Sequence, residues 1–539
     1  MKEKGFTLVE LLAVIVILAV IALIATPMIL GVIEKANKSA AIQSANGIMD
    51  AAEKYMIESM VLGINASRFY FPSDTKLSYK GKKPESGTLL VDDNGNMSIT
   101  IKVNGYCVRK RYLENEPVVV EDEVCEGTTY SEEILNGTDP VLKDNLIPVT
   151  IKNNGVVTYA DTNSEWYNYG NKVWANAVIL VDNPSKTYSV GETILESDIE
   201  SYFVWIPKYS YKLWDLGNYD SLTEIDESKV HSIDIVFGTG NTSDTNENEC
   251  TTPLVSGESG TCAVGDYMTH PAFITLGVNG IWVGKFETTG DTSQLTVKPG
   301  VTSLRNQTVA TMFDLALNYE NSLNSHMMKN TEWGAVAYLH HSKYGSSTEL
   351  MINNNSTYLT GYASVKAPTC GYTGDNRECN KYGTTSDITA SYNTKIGYKA
   401  STTGNISGIY DMAGGAHEYM AAYIDGNLRS SGLAQSTIDT NLKYFDKYNS
   451  SSFTTTYNYR ILGDATGEIG PFGVNKVLID YTYNQSSWYD DGSVFVNSSS
   501  PWFNRGAART NGNRTGAFNF DLSSGDAFSY LGFRLVLAP

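Results

Sequence analysis

The chain has 539 residues, 18% of them charged and 42% hydrophobic, a globular rather than disordered balance. Its formal net charge of -19 argues against phosphate-backbone binding as the main task, because a nucleic-acid binder needs a basic footprint. Tyrosine is abundant, 35 against 17 Phe and 8 Trp. That suits exposed recognition surfaces, and it equally suits an ordinary β-rich extracellular protein.

The N-terminus is organised around residues 5–31, GFTLVELLAVIVILAVIALIATPMILG, after the basic leader Met-Lys-Glu-Lys. Leu11 to Ile33 are 23 uncharged residues. At ~1.5 Å per residue they would cover ~34 Å as a helix, enough to cross a bilayer. A secretory signal has a shorter apolar region with its cleavage site behind it, whereas here the plausible cut, Gly5–Phe6, lies in front. Glu10 is an acid at the edge of the run and is costly there without a partner. Helical periodicity continues through Ala41, Ile48, Ala52 and Tyr55 to a stop near Gly63, predicting one helix over about 7–62, kinked at Pro27.

Lys4-Gly5-Phe6-Thr7-Leu8-Val9-Glu10 followed by an apolar helix resembles the class III signal of type IV pilins and pseudopilins. The resemblance implies cleavage after Gly5 by a prepilin peptidase and N-methylation of Phe6. It also implies assembly with other pilin subunits, with the Glu10 carboxylate facing a neighbour's Phe6 amine. The expected location is the cell membrane, single-pass with the C-terminal part outside, or a pilus.

From Leu77 the period changes to two, and Asn94-Gly95 is a strong hairpin signal. Asp92–Asn96 misses the spacing of a calcium loop and reads as a turn. The chain therefore reads as α+β: leader 1–5, helix 6–62, a small pilin-like β head 63–126, a polar linker or small module 127–164, and one large region 165–539. In the last, Phe203–Pro207 and Ile281–Glu287 read as strands, and Thr308–Leu323 and Thr331–His340 as helices. Six cysteines form three local couples, Cys107 with Cys125, Cys250 with Cys262 and Cys370 with Cys379. In an exported chain these suggest disulfides, with reduced buried thiols as the alternative.

Four stretches, Gly280–Thr289, Lys329–Tyr338, Gly408–Tyr419 and Leu531–Leu537, resemble in content and order the sulfatase-modifying, formylglycine-generating enzyme family, whose fold is C-type-lectin-like. Arg534 is expected to be buried and paired with Asp411 or Glu418. Asn330 or Thr331 is expected to cap the helix carrying Glu332 and Trp333. The family's oxidases use two cysteines ahead of the terminal Gly-Phe-Arg, and no cysteine occurs here after Cys379. None of the six histidines makes a metal-ligand spacing, and His340-His341 reads as a capping or surface pair. No catalytic residue and no cofactor is expected; a structural Ca2+ is left as an option, and the metal state is open. In lectin-like variants of the family the terminal stretch is the ligand face, diversified in some by retroelements. The corresponding residues here are Trp488, Tyr489, Trp502, Asn504, Arg505, Arg509, Asn511, Asn513, Arg514, Phe518 and Asn519. Their composition is that of a paratope, and also that of solvated loops. The expected function is a minor pilin or pilin-like adhesin binding an external protein or glycan, not an enzyme. The alternatives are an exported enzyme with altered chemistry and a pseudopilin of secretion or DNA uptake.

Overall fold

In the computed structural model the described residues are 8–61, 68–72, 76–91, 97–110, 117–120, 137–143, 145–162, 166–181, 187–212, 233, 235–237, 249–250, 267–364, 369–373, 376–380, 389–448, 463–466, 491–509, 511 and 514–539. The chain divides into two compact units, Met1–Ile134 and Leu135–Pro539.

The first unit is a helix over Leu8–Val61 and an antiparallel sheet built from Arg68–Phe71, Ser86–Val91, Met97–Val103, Tyr106–Lys110 and Val118–Val120, paired in that order. Ala41, Ala45, Ile48 and Ala52 repeat at three- and four-residue spacing and are buried against Phe69, Leu89, Ile99, Ile101 and Val108. Small alanines let the helix lie close to the sheet. The hairpin expected at Asn94-Gly95 is bracketed by Val91 opposite Met97, while the turn itself lies outside the described residues. Leu11, Leu12 and Ile15 to Leu18 are more than half exposed, a surface that water does not favour. Among the described residues no helix is long and apolar enough to cross a membrane. The apolar run 11–33 lies within the Leu8–Val61 helix, and its side chains at 20–30 are outside the described residues.

The second unit carries two main sheets among the described residues. The larger runs His326–Met327, Leu535–Leu537, Gly280–Gly284, Ile199–Pro207, Asn176–Leu180, Leu146–Ile151, Val157–Tyr159, Thr193–Ile194. Its centre is apolar on both faces, and the cross-strand neighbours Trp205 and Trp282 have ring centroids 5.3 Å apart. The smaller runs Asp446–Tyr448, His417–Ile424, Trp502–Gly506, Gly516–Ser523, with Leu531–Phe533 parallel to His417–Ile424.

The linker expected at 127–164 is corrected over its described part. Leu146–Ile151 and Val157–Tyr159 are paired strands, and the Thr138 and Val141 carbonyls accept the Trp205 and Trp282 indole N–H groups at 2.9 and 2.8 Å. The helix expected over Thr308–Leu323 is shorter, Val309–Leu317, followed by a single turn at Asn321–Leu323. Asn318 ends it by donating its side-chain amide to the Asp314 carbonyl.

Candidate functional site

The two sheets share one stretch of chain. Leu531–Phe533 belongs to the smaller sheet and Leu535–Leu537 to the larger, and Arg534 is the residue between them. Its Nε donates to Glu418 Oε2 at 2.9 Å, and its Nη2 donates to Glu418 Oε1. Nη1 reaches across to the Gly284 carbonyl at 2.8 Å, so one guanidinium ties both sheets. The expectation that Arg534 pairs with a buried acid holds, and Glu418 is that acid.

Two further carboxyls share this interior. Both Asp411 oxygens accept the Gly361 N–H at 2.9 Å, and one also accepts from Asn353 Nδ2 at 2.8 Å. Glu287 Oε1 accepts the Ala416 N–H at 2.9 Å. Burial raises all three carboxyls; Glu418 is pushed up to about 7 against the pull of Arg534. Glu287, buried and crowded also by Asp411 and Glu418, is raised well above the carboxylate range. Gly415 is what lets Glu287 approach, since a Cβ there would lie 2.3 Å from Oε1.

A second buried network surrounds the start of the Asn330–His340 helix. The cap differs from expectation: Asp446 Oδ2 accepts the Thr331 N–H at 2.7 Å, and Glu332 Oε2 accepts the Lys329 N–H at 2.8 Å. Asn330 instead donates to the Tyr448 hydroxyl at 2.8 Å. Glu332 Oε1 lies 2.9 Å from His326 Nε2, and the Trp333 indole donates to the Ala517 carbonyl at 2.7 Å.

The expected ligand face is largely interior. Trp502, Asn504, Arg505, Phe518 and Asn519 are buried, which corrects the reading of these five as an exposed face. Trp502 donates to the Leu428 carbonyl, and Asn519 Nδ2 donates to the Gly492 and Arg514 carbonyls. Arg505 donates Nη2 to the Ala465 carbonyl at 3.0 Å, and burial lowers it to about 10. These Asn, Arg and Trp side chains saturate buried backbone groups, which explains a composition that resembles a paratope. Arg509, Asn511 and Arg514 are half-buried. Trp488, Tyr489, Asn513, Gly5, Phe6, Cys125 and Cys262 lie outside the described residues, as does the Glu10 side chain. Cys107 is disulfide-bonded. The register sets Cys370 opposite Cys379, and only the backbone of these two and of Cys250 is described.

The surface constellation that the fold does assemble comes from separate loops. Arg305 lies 3.9 Å from the Tyr358 ring centroid and Arg509 lies 5.2 Å from the same ring. The Arg509 N–H donates to the Gly415 carbonyl at 3.1 Å, Gly415 N–H donates to the Asn353 carbonyl, and Asn353 binds Asp411. The buried carboxyls thus set the loops that present this cluster. His417 starts the strand that carries Glu418, with its ring 5.8 Å from that of Tyr530 and the side chains of Asn504 and Asn511 hydrogen-bonded to it. Burial lowers it to about 4, so it is neutral at pH 7. Arg305, Tyr358 and Tyr530 carry no spacing that sequence reading could have joined, while Arg509 and Asn511 were within the expected stretch.

His340 and His341 are buried rather than a surface pair, and burial lowers them to about 4 and about 3. His340 Nδ1 lies 2.9 Å from the Thr402 carbonyl. Among the described residues no group of three His, Cys, Asp or Glu is arranged to hold a metal ion.

The family model for the prokaryotic N-terminal methylation motif matches residues 1–26. No curated protein matches the chain. The motif gives the chain a type IV pilin-like N-terminal signal, which implies processing by a prepilin peptidase, assembly with pilin subunits and a place at the membrane or cell surface.

Proposed function

We propose that the protein is a minor pilin or pilin-like adhesin. Its N-terminal helix anchors or assembles, and its second unit has the C-type-lectin-like fold of the formylglycine-generating enzyme family and binds an external ligand without catalysis. One observation carries the fold assignment. Three of the four stretches that resemble that family converge on Arg534, through its bonds to Glu418 and to the Gly284 carbonyl. Arg534, Glu418 and Asp411 of these stretches are spent on structure, and the cysteine pair that the family's oxidases need has no counterpart after Cys379. A fold that persists without its reactive groups is a scaffold for binding.

The test compares the full chain with a chain cut after Ile134, both expressed at the cell surface. Membrane insertion is expected in both, and adherence to target cells only in the full chain. Equal adherence without residues 135–539 would overturn the adhesin reading, and turnover of a sulfatase peptide by the full chain would overturn the non-catalytic one.

A further inference from the structure

The Arg305–Tyr358–Arg509 cluster is built in a way the fold alone does not require. Arginine is always cationic in proteins. In a chain of net charge -19, neither guanidinium forms an ion pair among the described residues, although both lie over one ring. Arg305 is held by donating Nη1 to the Ser529 carbonyl. The Nε atoms of Arg305 and Arg509 are both buried with no hydrogen-bond partner. His417 is 5% exposed, and its Nδ1 also lacks a partner. The two arginine Nε–H groups are donors only and call for an acceptor from outside, with the His417 nitrogen open beside them.

The backbone is strained at the same place. Tyr358 is held at φ 60°, Asn306, next to Arg305, at φ 63°, and Ala507, two residues before Arg509, at φ 56°. Left-handed backbone at an aromatic residue is costly and persists only where its surroundings enforce it. Asn355 Oδ1 does so here by accepting the Thr357 and Leu359 N–H groups at 3.0 and 3.2 Å, while Ser303 Oγ donates to the Tyr358 carbonyl at 3.1 Å. The loop is fixed so that the Tyr358 ring meets both arginines.

We infer that Arg305, Arg509 and Tyr358, with His417, Asn511 and Tyr530, form the binding site for an acidic glycan. The inference rests on the adhesin reading above and specifies its ligand class. Two guanidiniums can grip a carboxylate or sulfate through paired N–H donors. Asn511 adds an amide suited to hydroxyls. Tyr530 is 41% exposed and stacks on Phe528 at 5.4 Å, offering a flat apolar face against which a sugar ring can lie. A free anion would have no use for that ring. An anionic membrane would need a broad basic surface, which the charge of the chain opposes.

The experiment titrates the full chain in detergent with a carboxylated oligogalacturonate, a sulfated heparin oligosaccharide, a neutral maltooligosaccharide and polyglutamate. Binding of one or both acidic sugars is expected, with no binding of the neutral sugar, and which acidic sugar binds identifies the anion. Arg305→Gln and Arg509→Gln should each weaken it by roughly tenfold or more, as loss of a charge-assisted contact does, and Tyr358→Leu should also weaken it. Arg429→Gln, at an exposed arginine that donates to the Ser498 carbonyl elsewhere, should not. Tryptophan fluorescence of each variant shows that the fold is retained. Absence of binding to both acidic sugars, unchanged affinity in the double Arg305/Arg509 variant, or equal binding of polyglutamate overturns the inference. Cell adherence separates the two readings. Adherence that needs residues 135–539 but survives the double variant sinks this site and leaves the adhesin, whereas adherence that needs neither sinks both.

Discussion

Replacing Arg534 by leucine removes the cation that, among the described residues, faces Glu418 and, at longer range, Asp411 and Glu287. Breaking a buried ion pair from one side costs ~3–5 kcal/mol, and the Gly284 carbonyl left without its donor adds ~1–3 kcal/mol. The loss depends on pH in a defined direction. A carboxyl whose folded pKa is raised contributes stability that is complete below its unfolded value and is lost as pH rises through its folded value. Glu418 already stands at about 7, and without Arg534 it rises further. The gap between wild type and variant therefore widens above pH 7, by up to ~1.4 kcal/mol per pH unit for each carboxyl held neutral. Replacing Glu418 by leucine as well removes the orphaned acid and should return much of the loss. Urea denaturation at pH 5, 7 and 8.5, followed by tryptophan fluorescence, measures this. All eight tryptophans lie in residues 135–539, so the signal reports the second unit alone. A variant within ~1 kcal/mol of wild type at pH 7, or a gap that narrows as pH rises, would refute the argument.

Gly334→Ala should gain ~1 kcal/mol on helix propensity. Instead a Cβ would lie 1.8 Å from the Gly463 carbonyl oxygen, so a loss of ~1–3 kcal/mol or more is expected from the same denaturation series. His270 is lowered to about 3 by burial, and its Nδ1 accepts the Ala272 N–H at 3.3 Å. A depressed base contributes stability above its unfolded value near 6.5 that is lost as pH falls toward 3, so His270→Asn, which keeps a cap acceptor, should flatten the acid limb of the stability curve. At the N-terminus, mass spectrometry of mature protein should find N-methylated Phe6 as the first residue. Gly5→Leu should leave the leader attached, and Glu10→Gln should insert normally but fail to assemble, as read by crosslinking; unchanged assembly would remove Glu10 from that role.

How far the sequence could be read depended on where the determinants lay. The first unit was legible because its signals are local: alanines at helical spacing, alternation around Asn94-Gly95, and an acid beside an apolar run. Arg534 was legible because a cation among strand residues requires a partner. Residues 146–151 were misread as linker because six strand residues are bounded by Asn, Asp and Gly, and their burial comes from Asn176–Leu180, well downstream. Asn519 was misread because polarity in sequence does not say whether an amide faces water or a buried carbonyl, here those of Gly492 and Arg514. Arg305, Tyr358 and Arg509 could not be joined at all, since about 200 residues and several loops separate them.

The place of Leu535–Leu537 between His326–Met327 and Gly280–Gly284 has a consequence for export. The slot between the edge strand His326–Met327 and Gly280–Gly284 stays unfilled until that segment emerges, some 250 residues after Gly284. Contacts so distant in sequence form late and slowly. On the proposed reading, in which the second unit lies outside the cell, a chain threading through a translocation channel would be kept from locking on the wrong side of the membrane, because that slot closes only when nearly the whole second unit has crossed.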